Sequence, residues 1–439
     1  MYDRLGGGLG DSLGLSIPMT YHQVVMELPL HLETEDIKLL QSLAAQVEEI
    51  SKFPIEKEKK LLWVQHNDLK GERPLLFCDP ENAWYEIIPQ ESLVCKSKLG
   101  RVWEFKLRKE IYWANSLRDD RVIEPYFDVH YIYKYNERGL KEKIIGGKEG
   151  GAYTWEAPIK KYKDMEQLCF SIVEVDHSKT DELKKLALEV FGNYLKVRIR
   201  GMFWWSLGLT LDLVWLRGME RMMYDFYENP EELKKLMAFL RDEALARLDY
   251  LEANGLLTLN TGGQYIGSGG LGFTSQLPEG DLQRKIRTED MWGFAESQET
   301  LMISPAMFEE FIFDFQLPIL ERFGLNCYGC CEPLDNRFEI IRKIPNLRRI
   351  SVSPWSDSFI MANQLKDEYV FSKKLNPTRI AGKNPDWELI RSEIRDTIEA
   401  TRGQNLELIM KDTHTISNNP RNITHWCTIA RQEIEKFRE

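Results

Sequence analysis

Phe323-Gly324-Leu325-Asn326-Cys327-Tyr328-Gly329-Cys330-Cys331-Glu332-Pro333 is a short apolar run that ends in a glycine and a group of thiols. Three of the chain's seven cysteines fall within five of these residues. A helical pattern follows directly. Thiols placed where a strand gives way to a helix would sit on the rim of an α/β barrel, where zinc serves chemistry rather than scaffolding.

The same unit recurs on both sides of this stretch. Residues 195–200, 256–259, 292–295, 325–329, 349–352, 369–372 and 406–410 each read as a short strand, most of them followed by polar residues and a helical pattern. Residues 216–228 and 230–253 read as helices, the second opening with Asn229 as cap and Pro230 at its first position. Ser304-Pro305 opens another that runs to Phe323. Repeats in this number predict an α/β chain of the (β/α)8 TIM barrel type rather than an open doubly wound sheet.

Two additions flank that pattern. Residues 1–65 are expected to be an N-terminal helical extension, with Thr34 as cap, Leu39, Leu40, Leu43, Val47 and Ile50 on one face, and a break at Pro54. The barrel then spans 66–439, its first strand at 74–78. Runs at 84–88, 101–107 and 126–133 are read as further strands, so that a β-rich, aromatic excursion fills about 95–165. The glycine-rich run 261–272 lacks a dinucleotide fingerprint opening a helix and is expected to be a mobile rim loop.

Composition narrows the function. Hydrophobic residues make up 43% and charged residues 29% of 439, enough for a large core. A net charge of -11 argues against nucleic acid as a partner, because binding to phosphates needs a basic surface. Met1 to Met19 lack the basic start and apolar run of a signal peptide, and no stretch is apolar enough to span a bilayer. The expectation is a cytoplasmic protein without a membrane partner. An odd cysteine count with Cys78, Cys95, Cys169 and Cys427 scattered fits a reducing compartment.

Active sites of parallel barrels lie just past the strands' carboxyl ends. There the sequence places Asn260, Glu296, Gln298, Cys330, Glu332, Ser353, Trp355, Lys373, Asn376, Asp412 and His414. Cys330, Glu332, Glu296 and His414 are thiolate, carboxylate and imidazole donors, a set that suits zinc with an open position. The cysteines read equally as small buried hydrophobes. Glu296 is either a ligand or an acid-base group, and His414 either a ligand or a solvated loop residue. Asp412 is a candidate catalytic or outer-shell partner of His414. Trp292, Gln298, Tyr265 and Trp355 are candidate substrate contacts, and the surplus of aromatic residues suggests an apolar or aromatic substrate.

Residues 66–435 resemble the uroporphyrinogen decarboxylase superfamily, in its corrinoid-linked zinc methyltransferase branch. The likeness rests on Leu216-Arg217-Gly218-Met219-Glu220-Arg221 with Tyr227-Glu228-Asn229-Pro230-Glu231, and on Ile303-Ser304-Pro305-Ala306-Met307-Phe308-Glu309-Glu310-Phe311. In those methyltransferases a histidine-x-cysteine pair and a later cysteine bind zinc. Here Cys330 and Glu332 take the paired positions, or Tyr328 and Cys330 in a register shifted by two, and the last cysteine falls on His414. The arginine-rich motif of the decarboxylases is missing from residues 66–110.

The resemblance implies a zinc-dependent methyltransferase that passes a methyl group from a small donor, a methoxylated aromatic compound foremost, to cob(I)alamin. No cobalamin-binding Asp-x-His-x-x-Gly signature is present, so the corrinoid is expected on a partner protein. Transfer from methylcobalamin to a thiol is the nearest alternative, and a barrel without catalysis is another.

Overall fold

Short apolar runs become strands because their residues bury on both faces, which leaves no polar side to read. The computed structural model describes residues 28–136, 138–146, 153–201 and 203–437. The reading of Met1 to Met19 therefore lies outside the described residues. Eight strands lie in parallel sheets: β1 (Leu75–Cys78), β2 (Tyr126–His130), β3 (Lys196–Arg200), β4 (Trp292–Ala295), β5 (Leu325–Tyr328), β6 (Leu347–Val352), β7 (Val370–Lys374) and β8 (Asn405–Met410). Six form one sheet in the order β1-β8-β7-β6-β5-β4, while β2 and β3 pair with each other. Every residue of β1, β4, β5, β7 and β8 is buried.

Side chains, rather than ladders, extend the six-stranded sheet at both edges. On the outer edge of β1, the Asp120 amide donates to Leu76 O (2.8 Å), and the Leu76 and Cys78 amides donate to the carboxylates of Asp120 and Asp119 (2.7 and 2.8 Å). At the β4 edge the Asn260 side chain exchanges two bonds of 2.9 Å with the Trp292 backbone, in the manner of a peptide group. Leu207 N donates to Phe294 O (2.9 Å) and Gly201 N to Thr258 Oγ1 (2.9 Å). Residues 256–259, expected as a strand, are thus extended linkers without a ladder of their own.

The parallel strands of the sheet are joined by helices, as parallel pairing requires. Ser358–Leu365 links β6 to β7, Trp387–Ala400 links β7 to β8, and Arg421–Lys436 follows β8. Pro230–Ala253 starts at Pro230 as expected, but Asn229 turns its amide to Asp225 (2.9 Å) instead of capping. Among the described residues no helix is long and apolar enough to cross a membrane.

The N-terminal part corrects several expectations. Helices α1 (Thr34–Ser51) and α2 (Pro54–Asn67) break at Pro54, yet Thr34 is the first helical residue and Glu33 holds the cap position. Residues 84–88 and 101–107 are not strands. Trp84–Ile87 is helical, and α3 (Lys98–Tyr112) starts at Ser97, whose hydroxyl accepts from Gly100 N (3.1 Å). Leu99, Val102, Trp103 and Leu107 bury at helical spacing, so the aromatic content had masked a 3.6-residue period. β structure persists further on, where Tyr133–Tyr135 pairs with Val173–Val175 and Lys143–Gly146 with Tyr153–Glu156, both antiparallel.

The glycine-rich run is packed rather than loose. Ile266 N donates to Gly270 O (3.0 Å), Ser268 and Leu271 are fully buried, and Gly270 N donates to Glu407 Oε1 (2.8 Å). A Cβ on Gly270 would stand 2.2 Å from the Trp63 ring, so only glycine lets the turn enter. Beneath it lies a buried charge group. Glu407 of β8 meets Arg349 Nε of β6 at 3.1 Å and His66 Nε2 of α2 at 3.2 Å, all three with no exposure. Burial works against the Glu407 charge, but Arg349 and His66 outweigh it and hold its carboxyl at about 2.

Candidate functional site

Gly329 ends β5 with φ of 96°, a left-handed turn that other residues rarely adopt. The two following cysteines then share one neighbourhood, with Cys330 Sγ and Cys331 Sγ 3.6 Å apart. Lys374, the last residue of β7, reaches both: its Nζ is 3.5 Å from Cys331 Sγ and 3.7 Å from Cys330 Sγ. It also pairs with the Asp412 carboxylate just past β8. Ser268, at the tip of the glycine turn, donates its hydroxyl to Cys330 Sγ (3.3 Å). Three strand ends and one loop therefore meet at a lysine ammonium.

This geometry separates the two thiols. A hydrogen bond from Cys330 and the Lys374 charge pull the Cys331 thiol below its usual range against the effect of burial. The same bond, with burial, pushes Cys330 far up. Burial works against the Lys374 charge too, yet Cys330, Asp412 and Cys331 hold its ammonium charged. Of the two thiols, Cys331 is the one whose pKa is lowered. Cys327, fully buried in β5, is pushed up to about 12 by burial and belongs to the core.

Glu296 follows β4 and is buried. Its Oε1 accepts from Ser206 Oγ (3.0 Å) and its Oε2 from Gln298 N (3.1 Å). Burial, then the charges of Glu299, Glu332 and Cys330, push its carboxyl well above the usual range. Beside it, Trp205 packs at 5.5 Å against Phe294 and borders a buried apolar cluster that contains Cys327 and Cys330. The result is an acid and a thiol pair along one aromatic wall.

The four expected zinc donors do not converge. Glu332 is fully buried and turned onto backbone, accepting from Ser297 N (2.8 Å) and Cys330 N (2.9 Å), where it ties the β4 and β5 loops together. His414 is exposed and its Nδ1 meets Asn82 Nδ2 (3.1 Å). Asp412, expected beside His414, is instead committed to Lys374. Among the described residues no group of three or more His, Cys, Asp or Glu side chains is arranged to hold a metal ion. The cation among the thiols is the lysine.

The expected substrate contacts also scatter. Trp292 is core, its indole donating to Gly272 O (3.0 Å). Gln298 leans on Glu299 (3.3 Å), and Trp355 stands 69% exposed on the rim. Tyr265 lies closer to the thiols' surroundings: its hydroxyl binds Asp79 past β1, and Lys411 lies 5.1 Å over its ring. Lys373 points elsewhere, donating to Ser353 O (3.0 Å), and burial lowers it to about 8.

Two residues at this centre escaped the sequence reading. Lys374 was hidden beside Lys373, although alternation along β7 forces the two onto opposite faces. Cys331 would be turned away from Cys330 by extended backbone. The positive φ at Gly329 removes that objection.

No protein-family model matches the chain, and no curated protein matches it. One solved structure, a methyltransferase from Methanosarcina mazei, superposes with a TM-score of 0.47 at 8% identity, over 87% of this chain and 99% of that one.

Proposed function

We propose that the eight strands close into a (β/α)8 barrel and that the chain is a methyltransferase, moving a methyl group from a methoxylated aromatic donor to the cob(I)alamin of a separate corrinoid protein. Glu296 carries this reading. A buried carboxyl raised well above the usual range, next to an aromatic wall at the strands' carboxyl ends, suits protonation of a leaving phenolate.

In the step, the corrinoid on its partner protein would supply the nucleophile that takes the methyl group as the carbon-oxygen bond breaks, and Glu296 would give its proton to the departing oxygen. Trp205 and Phe294 would hold the ring. Ser206 and the Gln298 amide hold the Glu296 carboxyl in place. Lys374, fixed between Cys331 and Asp412, supplies a preset charge at the floor as negative charge moves onto oxygen. The steps do not draw on zinc, since Glu332 is turned onto backbone amides and His414 onto Asn82.

Anaerobic incubation of the full chain with cob(I)alamin and a panel of methoxylated aromatics tests the reading. Expected is conversion to methylcobalamin with release of an equal amount of phenol. Absence of transfer from every donor, to free cob(I)alamin and to corrinoid proteins alike, overturns it.

A further inference from the structure

Cys330 and Cys331 take no covalent part in the transfer, although they are consecutive residues whose sulfurs lie 3.6 Å apart. Closing that gap to the length of a disulfide needs about 1.5 Å of movement. Neither sulfur is turned away from the other. Ser268 Oγ holds Cys330 Sγ at 3.3 Å, and Lys374 Nζ spans the pair at 3.7 Å from Cys330 and 3.5 Å from Cys331.

Access separates the two. Cys330 is 4% exposed, whereas Cys331 is only half-buried. An oxidant entering from solvent therefore meets Cys331 first, and this is also the thiol that the Lys374 charge and the bond from Cys330 pull below its usual range. A sulfenic acid formed there would have a second thiol already in contact. Cys78 and Cys427 are also neighbours, but both are buried out of an oxidant's reach.

We propose that Cys330 and Cys331 are a peroxide-sensitive modification site, at which hydrogen peroxide joins the two adjacent residues in a disulfide. The Cys331 sulfur attacks one peroxide oxygen, the oxygen-oxygen bond breaks, and the other oxygen leaves as water with the thiol proton. The Cys330 sulfur then attacks the oxidised Cys331 sulfur. The sulfur-oxygen bond breaks, and the hydroxyl leaves as water with the Cys330 proton. Two thiols and one peroxide thus give one disulfide and two waters, with sulfur oxidised and peroxide reduced. Consecutive Cα atoms stand about 3.8 Å apart, closer than the roughly 4.4–6.8 Å usual for a disulfide, so the bond is strained and a dithiol reductant opens it readily. None of this rests on the methyl-transfer reading.

The test treats the reduced full chain with stoichiometric hydrogen peroxide, blocks remaining thiols with iodoacetamide and maps the peptides by mass. The peptide that carries Cys330 and Cys331 is expected to be lighter by two hydrogens and to take up no iodoacetamide, and brief exposure to dithiothreitol is expected to return both thiols. In Cys330→Ser the reaction should stop at the sulfenic acid, so that dimedone adds to Cys331 there but not in the wild-type chain. Both thiols remaining open to alkylation, a dimedone adduct or sulfinic acid on wild-type Cys331, or a disulfide from Cys331 to any other cysteine overturns the proposal. Should the serine variant fail to fold, the wild-type peptide mass decides alone.

Discussion

Lys374 Nζ lies 3.5 Å from Cys331 Sγ, joining the end of β7 to the turn after β5 by a buried charge. With the hydrogen bond from Cys330, this charge lowers the Cys331 thiol below its usual range and favours its reactive form. Iodoacetamide at pH 6.5 is expected to label Cys331 ahead of the exposed Cys169, read by peptide mass mapping. Lys374→Met should slow Cys331 labelling about tenfold or more, and Lys374→Arg should restore much of it. Labelling of Cys331 at the same rate in all three proteins would break the assignment.

Elemental analysis of the purified chain offers a second check. With Lys374 seated among Cys330, Cys331 and Asp412, zinc is expected well below one equivalent, and chelators should leave activity unchanged. One tightly held zinc per chain, lost in Cys330→Ala, would show that the lysine yields its place to the metal.

Glu296→Gln is expected to lower turnover by about 100-fold with little change in KM, since a general acid acts on the leaving group rather than on binding. The sign of the pH effect follows from its raised carboxyl. Activity should hold while Glu296 is protonated and fall as pH rises through its folded-state pKa. The glutamine variant should lose that limb of the profile.

The buried Glu407 predicts an acid dependence of stability. Its carboxyl is held at about 2, below the ordinary glutamate value of 4.5, so its contribution is present above 4.5 and is lost as pH falls towards 2. Glu407→Gln should cost about 3–5 kcal/mol at neutral pH, because Arg349 stays buried without its partner. It should also flatten the loss of stability between those two pH values, as measured by denaturant unfolding.

The strands from β4 to β8 were legible because each is a short run built around apolar residues and buried almost throughout. Helix α3 was not, since Trp103 and Phe105 mimic a strand until Leu99, Val102 and Leu107 are counted at helical spacing. Rim positions such as Glu296 and Cys330 were found from topology alone. What they touch was not, because it depends on one glycine's φ, on which of two adjacent lysines faces inward, and on a turn at Ser268 that arrives from another part of the chain. The glycines of that turn read as looseness, whereas Gly270 serves close approach to Trp63.

The contact between His66 and Glu407 spans 341 residues of sequence. At about 5–20 residues per second, a ribosome needs roughly 20–70 s to make the partner after α2 has emerged. Until then Trp63 and His66 have no floor to close, and the six-stranded sheet lacks the strand that joins β1 to β7. Trp63 and His66 therefore stay uncovered through most of synthesis, and a truncation that removes either α2 or β8 removes the same floor.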